Sequence, residues 1–163
     1  MSQTEGDEIP DTAPQHLQGV APGGLFDVLA GEARAQGYEV CIEATCQPGA
    51  NGQTDFVFRT ITLAPGLSDA QRCKTMAHEL CHGMLHHPEA ADAPASRVVC
   101  EVESKSVAYL VWQAVGLDSE IYSLPYVGHW SAGDIELVAA SAERVIAAAA
   151  RIIEAVETAG AET

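Results

Sequence analysis

Two histidines four residues apart enclose a glutamate in the segment His78-Glu79-Leu80-Cys81-His82, which has the pattern HExxH. On a helix, residues four apart lie on one face, with about 5–6 Å between their Cβ atoms. Two imidazoles at that spacing can bind one zinc ion, which lowers the pKa of a bound water toward about 7. Glu79 is then placed to accept the proton of that water as it attacks a carbonyl carbon. The segment therefore predicts a zinc-dependent hydrolase with His78 and His82 as ligands and Glu79 as general base.

A catalytic zinc site also needs a third protein ligand and one open position. The next predicted helix offers Glu101 and Glu103, and an antiparallel helix pair would bring either carboxylate over the two histidines. The residues alone leave this choice open. His86 continues the spacing of four, but it lies about 12 Å along the helix axis from His78, too far for one ion to bind all three histidines. We expect His86 to support a ligand, to line the pocket or to lie at the surface.

The elements around this segment are predicted from periodicity and from capping residues. A helix is expected for 25–36, a strand for 38–42, a loop for 46–54, strand structure for 56–58 and 60–63 with a bend at Arg59, and further helices for about 94–115 and 131–158. Between them, Ser68 caps a helix that runs to about His87, with Gln71 completing a capping box. This order predicts an α+β fold in which a small two- to three-stranded sheet packs on about four helices.

The charge and composition of the chain argue against some classes of function. The chain has 163 residues, of which 8 are Lys or Arg and 23 are Asp or Glu, so its net charge is −15. Such a surface repels phosphate, which argues against direct nucleic-acid binding and against docking on an anionic membrane. The sequence has neither a signal-peptide pattern at its start nor an apolar stretch long enough to span a bilayer, so we expect a cytoplasmic protein. The odd number of cysteines, five, favours reduced thiols.

The chain divides by composition into three parts. Residues 1–21 are polar and contain prolines, which predicts an extended N-terminal arm. Residues 22–158 contain the predicted elements and form the expected zinc metallopeptidase-like domain. Residues 159–163 are expected to be a disordered C-terminal tail.

The chemistry-bearing residues resemble those of a known family. The segment from Lys74 to His86, KTMAHELCHGMLH, resembles the zinc-peptidase segment of the ImmA/IrrE family. Residues 101–110 and 122–130 look closest to the C-terminal peptidase domain of ArdC-type antirestriction proteins, and the first ten residues look like the end of the DNA-binding domain that precedes it. The resemblance covers about residues 20–150. It implies a gluzincin-like minimal metallopeptidase, with Glu101 as the third zinc ligand and an intracellular protein or peptide, such as a DNA-binding repressor, as substrate.

One position departs from that family's pattern. Its third-ligand helix usually carries an acid or an asparagine four residues after the glutamate, where this chain has Lys105. An acid or amide there would accept a hydrogen bond from a histidine ligand, whereas a lysine ammonium has no acceptor. The departure favours an alternative prediction, a non-catalytic antirestriction or regulatory binding protein with a degenerate zinc site.

Further residues are candidates for contacts with substrate. A tyrosine or histidine near the metal could stabilise the oxyanion of the reaction, and the strand region at 56–63 could present an edge to an extended peptide. The candidates for the oxyanion are Tyr109, Tyr122, Tyr126 and His129.

Overall fold

A computed structural model describes residues 19–45, 47–94, 96–117 and 135–161. Within these residues the chain forms four helices and a three-stranded sheet, the α+β arrangement that the sequence predicts. In chain order, the elements are α1 (Leu25–Ala35), β1 (Glu39–Ile42), β2 (Gly52–Asp55), β3 (Thr60–Leu63), α2 (Asp69–Leu85), α3 (Arg97–Ala114) and α4 (Ile135–Ala161).

The sheet is mixed and has the strand order β1-β3-β2. The central strand β3 pairs in parallel with β1, with Glu39 opposite Thr60, and antiparallel with β2, with Gly52 opposite Leu63. Ile61 and Leu63 are fully buried, because alternate side chains of a strand face the core. Strands β2 and β3 pack on α2, so the sheet forms one wall beside the HExxH segment.

Two predictions for the β2–β3 hairpin are wrong. Residues 56–58, predicted as a strand, lie in the turn, and residues 52–54, predicted as part of a loop, belong to β2. The reason is the carboxylate of Asp55, whose Oδ1 accepts hydrogen bonds at 2.8 and 2.9 Å from the backbone N–H groups two and three residues later. This Asx-type turn outweighs the strand propensity of the residues within it. The predicted bend at Arg59 is confirmed, since its φ is 54°.

Helix α2 has a buried apolar face and an opposite polar face. As predicted, Ser68 caps the helix, and its Oγ accepts a hydrogen bond from the backbone N–H of Gln71 at 3.2 Å. The apolar face is buried against the sheet and the other helices, which orients the opposite face, with the two HExxH histidines, toward a cleft. The buried residues of the apolar face are Cys73, Met76, Ala77, Leu80 and Cys81.

The described part of the N-terminal arm is joined to the start of α2. The backbone N–H of Ala21 donates to the Asp69 carboxylate at 2.9 Å, and the backbone N–H of Ala70 donates to the carbonyl of Gly19 at 3.2 Å. Residues 19–21 therefore pack on the domain, whereas the sequence assigns them to an extended arm. The rest of that arm, residues 1–18, lies outside the described residues.

Helix α4 packs across α3 and α1. Val145, Ala149 and Ile152, which are three or four residues apart, are buried, whereas Ala142, three residues before Val145, is exposed. The helix continues to Ala161, so residues 159–161 are helical rather than part of a disordered tail. Among the described residues, no helix is long and apolar enough to cross a membrane.

Candidate metal centre

Three side chains converge on one point at the α2–α3 interface. His78 Nε2 and His82 Nε2 lie 3.2 Å apart. The Glu101 carboxylate of α3 lies 3.7 Å from His78 Nε2 and 3.5 Å from His82 Nε2. Four ligand atoms arranged tetrahedrally around zinc are about 3.3 Å apart when each metal–ligand bond is about 2.0–2.1 Å. The two imidazole nitrogens and one carboxylate therefore suit a zinc ion both in chemistry and in spacing.

The protonation states of these groups favour metal binding. Burial lowers the pKa of His78, and the neighbouring His82 and Lys105 lower it further. A hydrogen bond with His82 lowers the pKa of Glu101 against the opposing effect of burial. At neutral pH His78 is therefore neutral and Glu101 is ionised, which are the forms that bind a metal ion without releasing a proton.

Glu79 lies beside these groups, and a residue of the sheet forms a hydrogen bond with its carboxylate. Its side chain is buried, and Thr54 Oγ1 of β2 lies 2.8 Å from Glu79 Oε2 and 3.0 Å from the Glu79 carbonyl oxygen. Burial raises the pKa of Glu79, while the hydrogen bond from Thr54 opposes that rise. A carboxylate with a raised pKa is suited to accept a proton and release it again near neutral pH.

Gly52, the first residue of β2, allows the sheet to approach Glu79 closely. A Cβ atom added at Gly52 would lie 2.6 Å from Thr75 Cγ2 and 2.8 Å from Glu79 Cγ. Real Cβ atoms do not approach carbon atoms so closely, so the position accepts only glycine without displacing its neighbours. Sequence reasoning missed both Gly52 and Thr54, because it placed their segment in a loop.

His86 contacts a ligand rather than joining the ligand set. Its Nδ1 lies 2.8 Å from Nδ1 of His82, and its Nε2 lies 2.8 Å from Oε2 of Glu103. Glu103, which the sequence leaves open as a possible third ligand, is thus engaged with His86 and not with the His78–His82 pair. His86 and Glu103 are both almost completely buried.

Helix α4 completes this buried chain of contacts. An Arg144 guanidinium nitrogen lies 3.4 Å from Glu103 Oε2 and also donates to the carbonyl of Leu85, at the end of α2, at 2.8 Å. Burial opposes ionisation of Glu103, but hydrogen bonds from His86 and Ser141 together with the charge of Arg144 lower its pKa. Glu103 is therefore a carboxylate that can accept a proton from the His86 ring.

A cleft of about 890 Å³ opens over the candidate centre. Its described lining includes residues from β2, α2 and α3, among them His78, Glu79, Glu101 and Lys105. Lys105 is exposed, and its charge helps to lower the pKa of Glu101. The hydrogen-bonding support that position 105 cannot give to a histidine is available to His82 from His86.

Of the candidates for oxyanion stabilisation, the structure describes Tyr109 alone. Tyr109 lies on α3 eight residues after Glu101, is half-buried, and is not among the described residues that line the cleft. Tyr122, Tyr126 and His129 lie outside the described residues.

The comparisons with known proteins agree with this geometry. Residues 33–113 match the IrrE N-terminal-like domain, Peptidase_M78. The matched segment runs from the last three residues of α1 almost to the end of α3 and contains His78, Glu79, His82 and Glu101. The match supports the ImmA/IrrE family and a metallopeptidase-like fold. No curated protein and no solved structure matches the chain.

Proposed function

We propose that the protein is a zinc-dependent endopeptidase of the ImmA/IrrE type that hydrolyses an intracellular protein or peptide. The main support is the convergence of His78, His82 and Glu101 beside the buried carboxylate of Glu79. This set lies within a segment that matches a peptidase domain. Two imidazoles and a carboxylate leave one position of a four-coordinate zinc open, which is typical of catalytic rather than structural sites.

The residues of this chain supply the proton transfers. Bound zinc would lower the pKa of a water molecule and polarise the carbonyl of the scissile bond. Glu79 accepts the proton of the attacking water and then delivers it to the leaving amine. Thr54 donates to the carboxylate of Glu79 and so keeps it in one orientation during both transfers.

Strand β2 supports a peptide as the substrate. The sequence predicts a substrate edge within residues 56–63, but β3 is the central strand and is paired on both sides. β2 is an edge strand, and Gly52, Gln53 and Thr54 line the cleft. An extended peptide can add to such an edge through backbone hydrogen bonds, which would hold its scissile bond near the metal.

The substrate class is supported by the sequence resemblance. The similarity of residues 101–110 and 122–130 to ArdC-type antirestriction proteins favours a cytoplasmic role and a protein substrate such as a DNA-binding repressor. The net charge of −15 supports contact with a basic protein rather than with nucleic acid.

Metal analysis combined with two substitutions tests the proposal. We expect about one zinc per chain in the wild type, loss of that zinc in His82→Ala, and zinc retention without peptide hydrolysis in Glu79→Gln. Hydrolysis is measured on a mixture of random decapeptides, with products sequenced by mass spectrometry. A protein that binds zinc but leaves the mixture intact would favour the alternative, a non-catalytic binding protein, and absence of zinc would exclude a zinc peptidase.

A further inference from the structure

Both lysines of the chain lie beside the candidate centre. Lys74 precedes His78 by four residues on α2, and Lys105 follows Glu101 by four residues on α3. Each lysine is therefore one helical turn, about 6 Å, from a ligand and on the same helix face. The two lysines are close enough that the charge of Lys105 lowers the pKa of Lys74. Since α2 and α3 both contribute, the lysines flank one side of the cleft as a pair.

The sign of the charge in the cleft differs from that of the protein. The whole chain carries −15, yet the described residues that line the cleft include three basic side chains and only two acidic ones. The acidic pair, Glu79 and Glu101, belongs to the catalytic set, and the charge of a zinc dication would offset it. With zinc bound, the described lining of the cleft would therefore carry a net positive charge, in a chain that is acidic as a whole. The basic residues are Lys74, Arg97 and Lys105.

The distance from each lysine to the neighbouring ligand is similar to the distance between alternate residues of an extended peptide. One helical turn separates them from the ligands by about 6 Å, and two residues of a strand span about 6.6 Å. Side chains two residues apart also lie on the same face of a strand. A side chain one or two residues from the scissile bond of a peptide cleaved at the centre is therefore within the range of distances at which the lysines lie.

We propose that Lys74 and Lys105 form a carboxylate-binding subsite that selects peptides with a carboxylate one or two residues from the scissile bond. The carboxylate belongs to an Asp or Glu side chain or to the C-terminus of the substrate. Lys74 is half-buried, and its ammonium group is disfavoured there by burial and by Lys105. A substrate carboxylate between the two ammonium groups would offset the repulsion between them. This inference rests on the proposed peptidase function.

Digestion of a peptide library by protein of known zinc content tests the subsite. Random decapeptides, prepared with free and with amidated C-termini, are digested by zinc-loaded wild type, and the residues around each cleaved bond are counted. We expect Asp and Glu, or the free C-terminus, to be enriched about five- to tenfold at one position within two residues of that bond. Lys105→Met should reduce the enrichment, Lys105→Glu should abolish it because the new carboxylate offsets the charge of Lys74, and Lys105→Arg should retain it.

The controls separate the subsite from the proposed activity. Arg34→Gln removes an exposed positive charge from α1, outside the described lining of the cleft, and should leave the enrichment unchanged. Zinc content is measured for every variant, because Lys105 is near Glu101. Cleavage with no preference for carboxylates, or with a preference that Lys105→Glu does not alter, would overturn the subsite and leave the peptidase intact. Absence of any cleavage by the wild type would overturn both.

Discussion

His86 Nδ1 lies 2.8 Å from Nδ1 of His82, so the only ring nitrogen of His82 that faces the other ligands is Nε2. A histidine that binds a metal through Nε2 carries its proton on Nδ1. His82 therefore donates to Nδ1 of His86, and His86, protonated on Nε2, donates to Glu103. The contacts form a chain with one direction, from the candidate ligand through His86 to a buried carboxylate.

Breaking this chain should weaken zinc binding. We expect His86→Ala and Glu103→Gln to lower the zinc affinity about 10- to 100-fold, because such outer partners orient a ligand and raise its basicity. Affinity is measured by competition with a chelator at pH 7. His87→Ala is the matched control, since His87 is the adjacent half-buried histidine and packs its ring against Phe56.

Thermal unfolding of the metal-free variants distinguishes a role of these residues in orienting His82 from a role in stabilising the fold. If His86→Ala and Glu103→Gln lose stability without losing zinc affinity, the contacts of His86 and Glu103 serve only to pack α2, α3 and α4 together. Equal loss of affinity in His87→Ala would also contradict the assigned role of His86.

Thr54 sets the pH dependence of the proposed reaction. The hydrogen bond from Thr54 lowers the pKa of Glu79 against the effect of burial, so its removal should raise that pKa. A general base acts only in its ionised form, and a higher pKa therefore moves the acidic limb of the kcat/KM profile to higher pH. We expect this shift in Thr54→Val, together with about a tenfold lower kcat near neutral pH.

Thr54→Ser retains the hydroxyl and serves as the control. It should keep the wild-type position of the acidic limb, and both variants should keep their zinc. An unshifted limb in Thr54→Val would mean that another group determines the protonation of Glu79.

The helical part of the centre could be predicted because its signals are local. His78 and His82 are one helical turn apart, Ser68 caps their helix, and these features need no knowledge of the tertiary fold. The choice of Glu101 over Glu103 could not be made from the residues alone, because both lie in the same turn of α3. It depended on the resemblance to the family, and in the structure Glu103 contacts His86.

The remaining parts of the site depend on contacts between distant segments. Thr54 reaches Glu79 across 25 residues, and Arg144 reaches the end of α2 across 59 residues. No periodicity in the sequence indicates such pairs. The strand that holds Thr54 was also missed, because the aromatic and β-branched residues beyond Asp55 resemble a strand while Asp55 itself imposes a turn.

Gly52 should be required for the position of Glu79. In Gly52→Ala, the added methyl group meets Thr75 and Glu79 within 3 Å, so β2 or the Glu79 side chain must move. We expect a large loss of kcat with zinc still bound, because His78, His82 and Glu101 are not among the atoms that the methyl group meets. Gly31→Ala on α1, where an added methyl group meets nothing within 4 Å, is the control and should leave both zinc content and activity unchanged. Full activity in Gly52→Ala would show that Glu79 does not need this close approach.

The proposed lysine subsite predicts a dependence on pH near 8. Burial and the charge of Lys105 lower the pKa of Lys74 to about 8. A lysine is charged below its pKa, so Lys74 is about nine-tenths protonated at pH 7 and about one-tenth at pH 9. The ratio of kcat/KM for a peptide with Asp to that for the same peptide with Asn should therefore fall between these pH values. The ratio cancels the titration of Glu79, which acts on both peptides equally. Lys74→Met should give a smaller ratio that changes little with pH, while a wild-type ratio that is constant from pH 7 to pH 9 would exclude Lys74 from the subsite.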